Sequence, residues 1–179
     1  MRKESITACP RIDGSKSERV QRISAAIVRA GLKSPLLDDV RAEVWLKLWG
    51  NHTFNPISAL TRATLADIWG DPNGRALAAQ MMSEAQSVAA RFGVSFRLSV
   101  DQRIDGAARI GGHKTSMLQD VEAGRALEVD ALVGSVVELA RLVDVPTPTI
   151  DAIYQAAKLL DRTMSARMAG VRAVPLPSR

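Results

Sequence analysis

Cysteine, long apolar runs and aromatic residues are all scarce in this sequence. Their scarcity argues against a disulfide-bonded protein, a membrane-spanning protein and a surface that stacks on nucleic-acid bases. A single cysteine, Cys9, allows no internal disulfide and favours a reducing compartment. No apolar run reaches the length of about 18 residues that a membrane-spanning helix needs. Residues 1–14 also lack the apolar core of a signal peptide. We therefore predict a cytoplasmic, soluble protein with no membrane partner.

Basic residues are in excess but are not clustered. The 24 Lys and Arg residues are interleaved with 19 acidic ones, and aromatic residues make up only 4% of the chain. Nucleic-acid-binding surfaces need a basic stripe and often aromatic side chains for stacking. The net charge of +5 therefore indicates solvated helix faces, and we predict no nucleic-acid partner.

The hydrophobic pattern is that of helices. Apolar residues recur at helical spacing between Gly, Pro and Ser/Asp signals, and no convincing series of strands is present. We predict an all-α, multi-helix bundle over residues 15–170, preceded by a short segment at 1–14 and followed by a frayed Pro-rich tail at 171–179. The predicted helices begin near Ser15, Asp38, Arg75, Ser99, Ser116, Glu128 and Thr149.

Local signals predict several helix boundaries. Ser15 and Glu18 fit a capping box, and Ser116 is predicted to cap a later helix. Pro56 should kink or end the second helix. Asp71-Pro72-Asn73-Gly74 is a turn signal.

The stretch KLWGNHTFNP, residues 47–56, holds the first candidate site. Lys47, Asn51 and Asn55 are four residues apart, so on a helix they project from one face. An ammonium and two amides suit an anionic or carbonyl-bearing ligand. The alternative is a solvated stripe, but Trp45, Leu48, Trp49 and Phe54 flank it, and a polar face between apolar walls is typical of a ligand site.

A second candidate cluster lies in residues 115–130. Ser116 and Asp120 are four residues apart, and Glu128 follows beyond Gly124 in the next helix. Taken alone, this cluster favours the simpler interpretation, in which Ser116 is a helix cap and the acids are solvated side chains.

Two other motifs are rejected. The run from Gly106 resembles a Walker A loop, but Gly112 stands where that motif requires lysine, and no strand precedes it. His52, His113 and Cys9 have no spacing that suits zinc or iron, so we predict no metal site.

Together, and in this order, the two clusters resemble the C-terminal domain of the ketopantoate reductase (2-dehydropantoate 2-reductase) family. The family's Lys-x-x-x-Asn-x-x-x-Asn-Pro run matches residues 47–56, and its Ser-Met-x-x-Asp and Glu-x-Asp segments match 116–120 and 128–130. The Val-Pro-Thr-Pro break at 145–148 is also similar. The resemblance covers nearly the whole chain and implies a fold like the C-terminal domain of 6-phosphogluconate dehydrogenase.

The resemblance implies a role for each candidate residue in reducing ketopantoate to pantoate with NADPH, a step of pantothenate and coenzyme A biosynthesis. Lys47 would protonate the carbonyl oxygen, with burial against Trp45 and Trp49 easing the transfer. Asn51 and Asn55 would hold substrate oxygens, and Ser116 the carboxylate end. Glu128 would orient the substrate hydroxyl or Lys47, and Asp120 would support the site.

The family's nucleotide-binding Rossmann domain has no counterpart in this sequence, which contains no Gly-x-Gly-x-x-Gly turn. Residues 1–14 would then be the remnant of the link from that domain. The resemblance thus implies a partner Rossmann domain, in cis or in trans, and NADPH bound only in the complete enzyme. We expect the isolated chain to bind no cofactor tightly and to be inactive.

Two alternatives stay open. The substrate could be another 2-oxo acid, since Lys47 serves any ketone. Alternatively, the chain could be a non-catalytic helical interaction module that pairs as a homodimer.

Overall fold

The structure, a computed structural model, describes residues 15–109 and 111–172. Within them the predicted all-α fold is confirmed, since every regular element is helical. The α-helices are α1 (Glu18–Arg29), α2 (Val40–Thr61), α3 (Leu65–Gly70), α4 (Pro72–Arg91), α5 (Val100–Ala108), α6 (Ser116–Glu122), α7 (Ser135–Leu142) and α8 (Pro148–Arg172), and a π-helical turn at Asp130–Gly134 leads into α7. The predicted linker at 1–14, with Cys9, and tail residues 173–179 lie outside the described residues.

The chain divides into two compact units, Met1–Leu46 and Lys47–Arg179, and the boundary falls within α2. In the first unit the hydroxyl of Ser24 on α1 donates a hydrogen bond of 2.6 Å to the carbonyl oxygen of Ser34. All candidate site residues belong to the second unit. The predicted domain boundaries at 15 and 170 stay a prediction.

Helix α4 is the centre of the second unit. It packs against α3, α5, α7 and α8. Its buried residues follow helical spacing and are mostly small, which lets neighbouring helices approach closely. They are Ala78, Met81, Met82, Ala85, Val88 and Ala89.

Several predicted boundaries are shifted by better caps. Helix α4 begins inside the predicted turn, because Asp71 accepts a hydrogen bond from the Gly74 N–H at 2.6 Å and Pro72 suits the first helical position. Ser17, not Ser15, caps α1. Helix α8 extends to Arg172.

Pro56 does not end α2, which runs on to Thr61. Proline removes one backbone donor from a helix interior. Here the surrounding turn is buried, with Phe54 and Ile57 each at most 3% exposed. Tertiary burial therefore holds a turn that the local sequence disfavours.

Candidate functional site

Helix α2 carries Lys47, Asn51 and Asn55 on one stripe, because it is helical throughout this stretch. Each step of four residues rotates the side chain by about 40°. Lys47 is exposed, Asn51 is half-buried and Asn55 is buried. The stripe therefore leads from solvent into the protein, with the cation at its outer end.

Among the residues whose side chains the structure describes, the three side chains of this stripe have no hydrogen-bond or ion-pair partner. Asn55 is only 6% exposed. Among the same described side chains no nitrogen or oxygen is both wholly buried and unpaired, so the amide of Asn55 retains contact with solvent. A ligand that pairs with this amide gains free energy, because a largely buried polar group without a hydrogen-bond partner is unfavourable.

The opposite face of α2 anchors the helix in the core. Trp49 is fully buried, donates its indole N–H to the carbonyl oxygen of Met82 at 2.8 Å, and stacks on Phe96 with ring centroids 4.1 Å apart. His52 Nδ1 lies 3.0 Å from the Leu48 carbonyl oxygen. Desolvation by burial lowers the pKa of His52 to about 4, so its imidazole is neutral at pH 7.

This anchoring corrects one expectation about Lys47. Trp49 is turned about 200° from it on the helix and lies inside the core. Lys47 is exposed rather than buried against that indole.

Arg103, which no sequence pattern singles out, lies beside the stripe. Its guanidinium covers Gly50 of α2: the Cζ atom is 2.8 Å from the position that a Cβ on Gly50 would take. Only a glycine admits the arginine there. A sequence signal for this contact is absent, since the two residues are far apart in the chain.

In the second cluster, Ser116 is the first residue of α6 and is exposed. The predicted cap is wrong by one residue: the Thr115 hydroxyl accepts the hydrogen bond from the Leu118 N–H at 3.2 Å. The hydroxyl of Ser116 is therefore not committed to capping the helix.

The two acids of this cluster differ in their surroundings. Asp120 is half-buried, accepts a hydrogen bond from Arg125 Nε at 2.7 Å and forms an ion pair with Arg125 Nη2 at 2.6 Å. Glu128 is exposed and immediately precedes the helical segment that contains the π-helical turn. Within the described part of the chain, the carboxylate of Glu128 has no partner.

Ala59 links the two clusters, because it continues the four-residue spacing of the stripe. It packs in one buried apolar cluster with Met117 and Val129. These two residues are the chain neighbours of Ser116 and Glu128. The structure thus brings both segments to the inner end of the stripe, although no hydrogen bond joins the candidate side chains of the two segments among the described residues.

Asp130 fixes the π-helical turn to α8. Its carboxylate accepts hydrogen bonds from Tyr154 Oη and Lys158 Nζ, both at 2.7 Å. The bond from Lys158, followed by that from Tyr154, holds the pKa of Asp130 below its usual value. All three groups are used within the fold, in contrast to those of the stripe.

Neither a metal-binding cluster nor a membrane-spanning helix occurs in the described part of the chain. Residues 15–109 and 111–172 contain no group of three or more His, Cys, Asp or Glu side chains placed to hold a metal ion. None of the helices within those ranges is both long enough and apolar enough to cross a membrane.

Comparison with known proteins matches residues 39–161 to the family model described as "Ketopantoate reductase PanE/ApbA C terminal". The 2-dehydropantoate 2-reductase of Mesorhizobium japonicum is 56% identical over 147 residues, which cover 82% of this chain and 45% of that protein. The chain spans about half the length of the curated relatives it matches.

Two solved structures superpose on this chain and share its fold. The dimeric ketopantoate reductase of Staphylococcus aureus is 26% identical and superposes with a TM-score of 0.71, over 84% of this chain and 53% of that one. D-mandelate dehydrogenase, solved with NADH and anilino(oxo)acetate, shares the fold: its TM-score is 0.80 at 19% identity, over 89% of this chain and 68% of that one.

Proposed function

Because this chain belongs to the family of ketopantoate reductase C-terminal domains, we propose that it is the substrate-binding and proton-donating part of an NADPH-dependent reductase that converts ketopantoate to pantoate. The observation that carries the proposal is the stripe on α2. An exposed ammonium and two amides, all without protein partners in the described residues, lead toward the core.

Lys47 is the proposed proton donor. Reduction of a ketone places negative charge on its oxygen, and a positioned ammonium both stabilises that charge and supplies the proton. Since Lys47 makes no ion pair with a described residue, its Nζ is available to a substrate oxygen.

The amides of Asn51 and Asn55 are the proposed substrate clamps. Each amide can donate and accept hydrogen bonds, which suits a ligand that carries both a keto oxygen and a hydroxyl. The buried position of Asn55 restricts its amide to few orientations. Holding the substrate in one orientation is itself a large part of catalysis.

Residues of the second cluster complete the proposed site. Ser116 would donate a hydrogen bond to the carboxylate end of the substrate, and Glu128 would orient the substrate hydroxyl or Lys47. Asp120 has a supporting role, since its pairing with Arg125 fixes the segment after α6.

The described residues do not form the principal binding site of the cofactor. A Rossmann-type site requires a strand, a glycine-rich turn and a helix, whereas those residues form helices. NADPH would supply the hydride in the complete enzyme, from a Rossmann domain joined in cis or in trans. We therefore propose that the isolated chain does not reduce ketopantoate.

A binding titration tests this function without the cofactor. The chain, labelled with ¹⁵N, is titrated with ketopantoate, and the amide resonances of α2 and α6 should shift. Asn51→Ala and Asn55→Ala should weaken binding, whereas Gln80→Ala on the exposed surface of α4 should not. Binding that is unaffected by both asparagine variants would contradict the assignment.

The choice of 2-oxo acid is a separate part of the proposal. Lys47 and the amides recognise the keto acid group common to all 2-oxo acids, so the substrate tail must decide between them. Competition between ketopantoate and 2-oxoisovalerate, which lacks the hydroxymethyl group, measures this choice. Equal affinities would favour another 2-oxo acid.

A further inference from the structure

The carboxylates nearest to Arg103 in the chain are already paired with another arginine. Arg75 on α4 donates to Asp101 and to Asp105, each at 2.8 Å. Asp105 also accepts the indole N–H of Trp69 at 3.0 Å, and the hydrogen bonds from Trp69 and Arg75 lower the pKa of that carboxyl. Asp101 and Asp105 of α5 are therefore already paired with Arg75.

Arg103 has no such counter-charge. Its guanidinium is half-buried, makes no hydrogen bond or ion pair with a described residue, and has a pKa that burial alone lowers. A partly desolvated arginine normally has an anionic partner, because taking an unpaired charge out of water is unfavourable. No described carboxylate pairs with Arg103, so its guanidinium is available to an anionic ligand.

The location of this guanidinium connects it to the candidate site. It covers Gly50, with Cζ 2.8 Å and Nε 3.4 Å from the place that a Cβ on that glycine would occupy. Gly50 follows Lys47 by three residues, and residues three apart are neighbours on a helix surface. Two cations therefore border one patch of α2, next to Asn51.

We propose that Arg103 binds the carboxylate of the 2-oxo acid substrate. This inference rests on the proposed function of the stripe. In a 2-oxo acid the carboxylate carbon is bonded directly to the keto carbon, so two neighbouring cations can contact the two groups at the same time. Arg103 offers a planar fork suited to a carboxylate, and Lys47 is left for the keto oxygen. On this assignment Arg103, and not Ser116 near the inner end of the stripe, is the principal ligand of the carboxylate.

The test compares ketopantoate with its primary amide, which has the same shape but no charge. Both are titrated into the ¹⁵N-labelled 179-residue chain. The wild type should prefer the acid by about 10-fold or more. Arg103→Gln should lose this preference while its affinity for the amide stays the same, and Arg103→Lys should restore part of it.

Gly50→Ala provides a second variant that keeps every charge. Its Cβ occupies the space of the guanidinium, and the flexible end of Arg103 must move away. The preference for the acid should fall as in Arg103→Gln, with the thermal midpoint of unfolding retained because alanine favours the helix.

The outcomes separate the inference from the function on which it rests. If Arg103→Gln keeps the preference while Asn55→Ala weakens binding of both ligands, the inference is wrong and the proposed function stands. If the wild-type chain binds neither ligand, both are wrong. Inorganic phosphate that competes with the acid at equal affinity would make Arg103 a general anion site and overturn its assignment to the carboxylate.

Discussion

The two faces of α2 use polar side chains in opposite ways. On the inner face Trp49, His52 and Thr53 are fully buried, and each has a hydrogen-bonding contact. On the outer face Lys47, Asn51 and Asn55 have none within the described residues. Paired groups of the first kind hold the helix in place, while unpaired groups of the second kind are free to meet a ligand. The difference separates residues that stabilise the fold from those that we propose to bind the substrate.

The largest expected effect tests the outer face by removing its cation. Lys47→Ala should lower kcat by about 10²–10⁴-fold, the range for loss of a general acid, when the chain is joined to the N-terminal half of the Mesorhizobium japonicum relative. The free energy of unfolding should not change, because the exposed ammonium has no described partner. NADPH oxidation and urea unfolding measure the two quantities. A variant with the wild-type rate would remove Lys47 from the mechanism.

The inner face should instead control the dependence of stability on pH. The pKa of His52 is lowered from 6.5 to about 4 in the folded chain, so the unfolded state binds the proton more readily. The contribution of the neutral imidazole to the free energy of unfolding is fully present above pH 6.5. The free energy of unfolding then decreases by up to about 3 kcal/mol as the pH falls from 6.5 toward 4.

Urea unfolding between about pH 8 and pH 4 checks this contribution. His52→Gln should flatten the pH dependence, whereas His113→Gln at an exposed position should leave it unchanged. Parallel curves for the wild type and His52→Gln would show that the buried imidazole does not control acid stability.

A smaller loss is expected from the indole of the inner face. Trp49→Phe keeps an aromatic ring for stacking on Phe96 but removes the donor to the Met82 carbonyl oxygen. The free energy of unfolding should fall by about 2 kcal/mol, from the lost hydrogen bond and the reduced volume. Trp69→Phe is the matched control, since that indole is 45% exposed and its loss should cost less. Equal losses at both positions would contradict the distinction between faces.

The register of the outer face could be predicted because it depends on local periodicity alone. Lys47, Asn51 and Asn55 share a stripe as soon as α2 is helical. The predicted cap of α6 is misplaced by one residue because Thr115 and Ser116 both carry a hydroxyl, and only the backbone angles decide which one accepts the hydrogen bond. Helix existence is thus easier to predict than a helix boundary.

Features set by distant residues could not be predicted. The start of α8 is capped by Glu84 of α4, which accepts the N–H groups of Thr149 and Ile150 at 3.0 and 2.9 Å. The contact between Arg103 and Gly50 is equally non-local. A single sequence shows a glycine in a helix and an arginine in another, and nothing in their spacing indicates that one covers the other.

The smallest effect is expected at Asn55, the buried residue of the outer face. Asn55→Ala should change the free energy of unfolding by less than about 0.5 kcal/mol, because no described hydrogen bond is lost and alanine is the better helix former. Thr53→Ala, two residues earlier on the same helix and fully buried, loses its contact with His52 Nε2 at 3.3 Å and should cost about 1 kcal/mol. Urea unfolding at about pH 8 measures both variants with His52 neutral. If Asn55→Ala were the more destabilising of the two, its amide would belong to the fold, and the outer face would lose its buried substrate clamp.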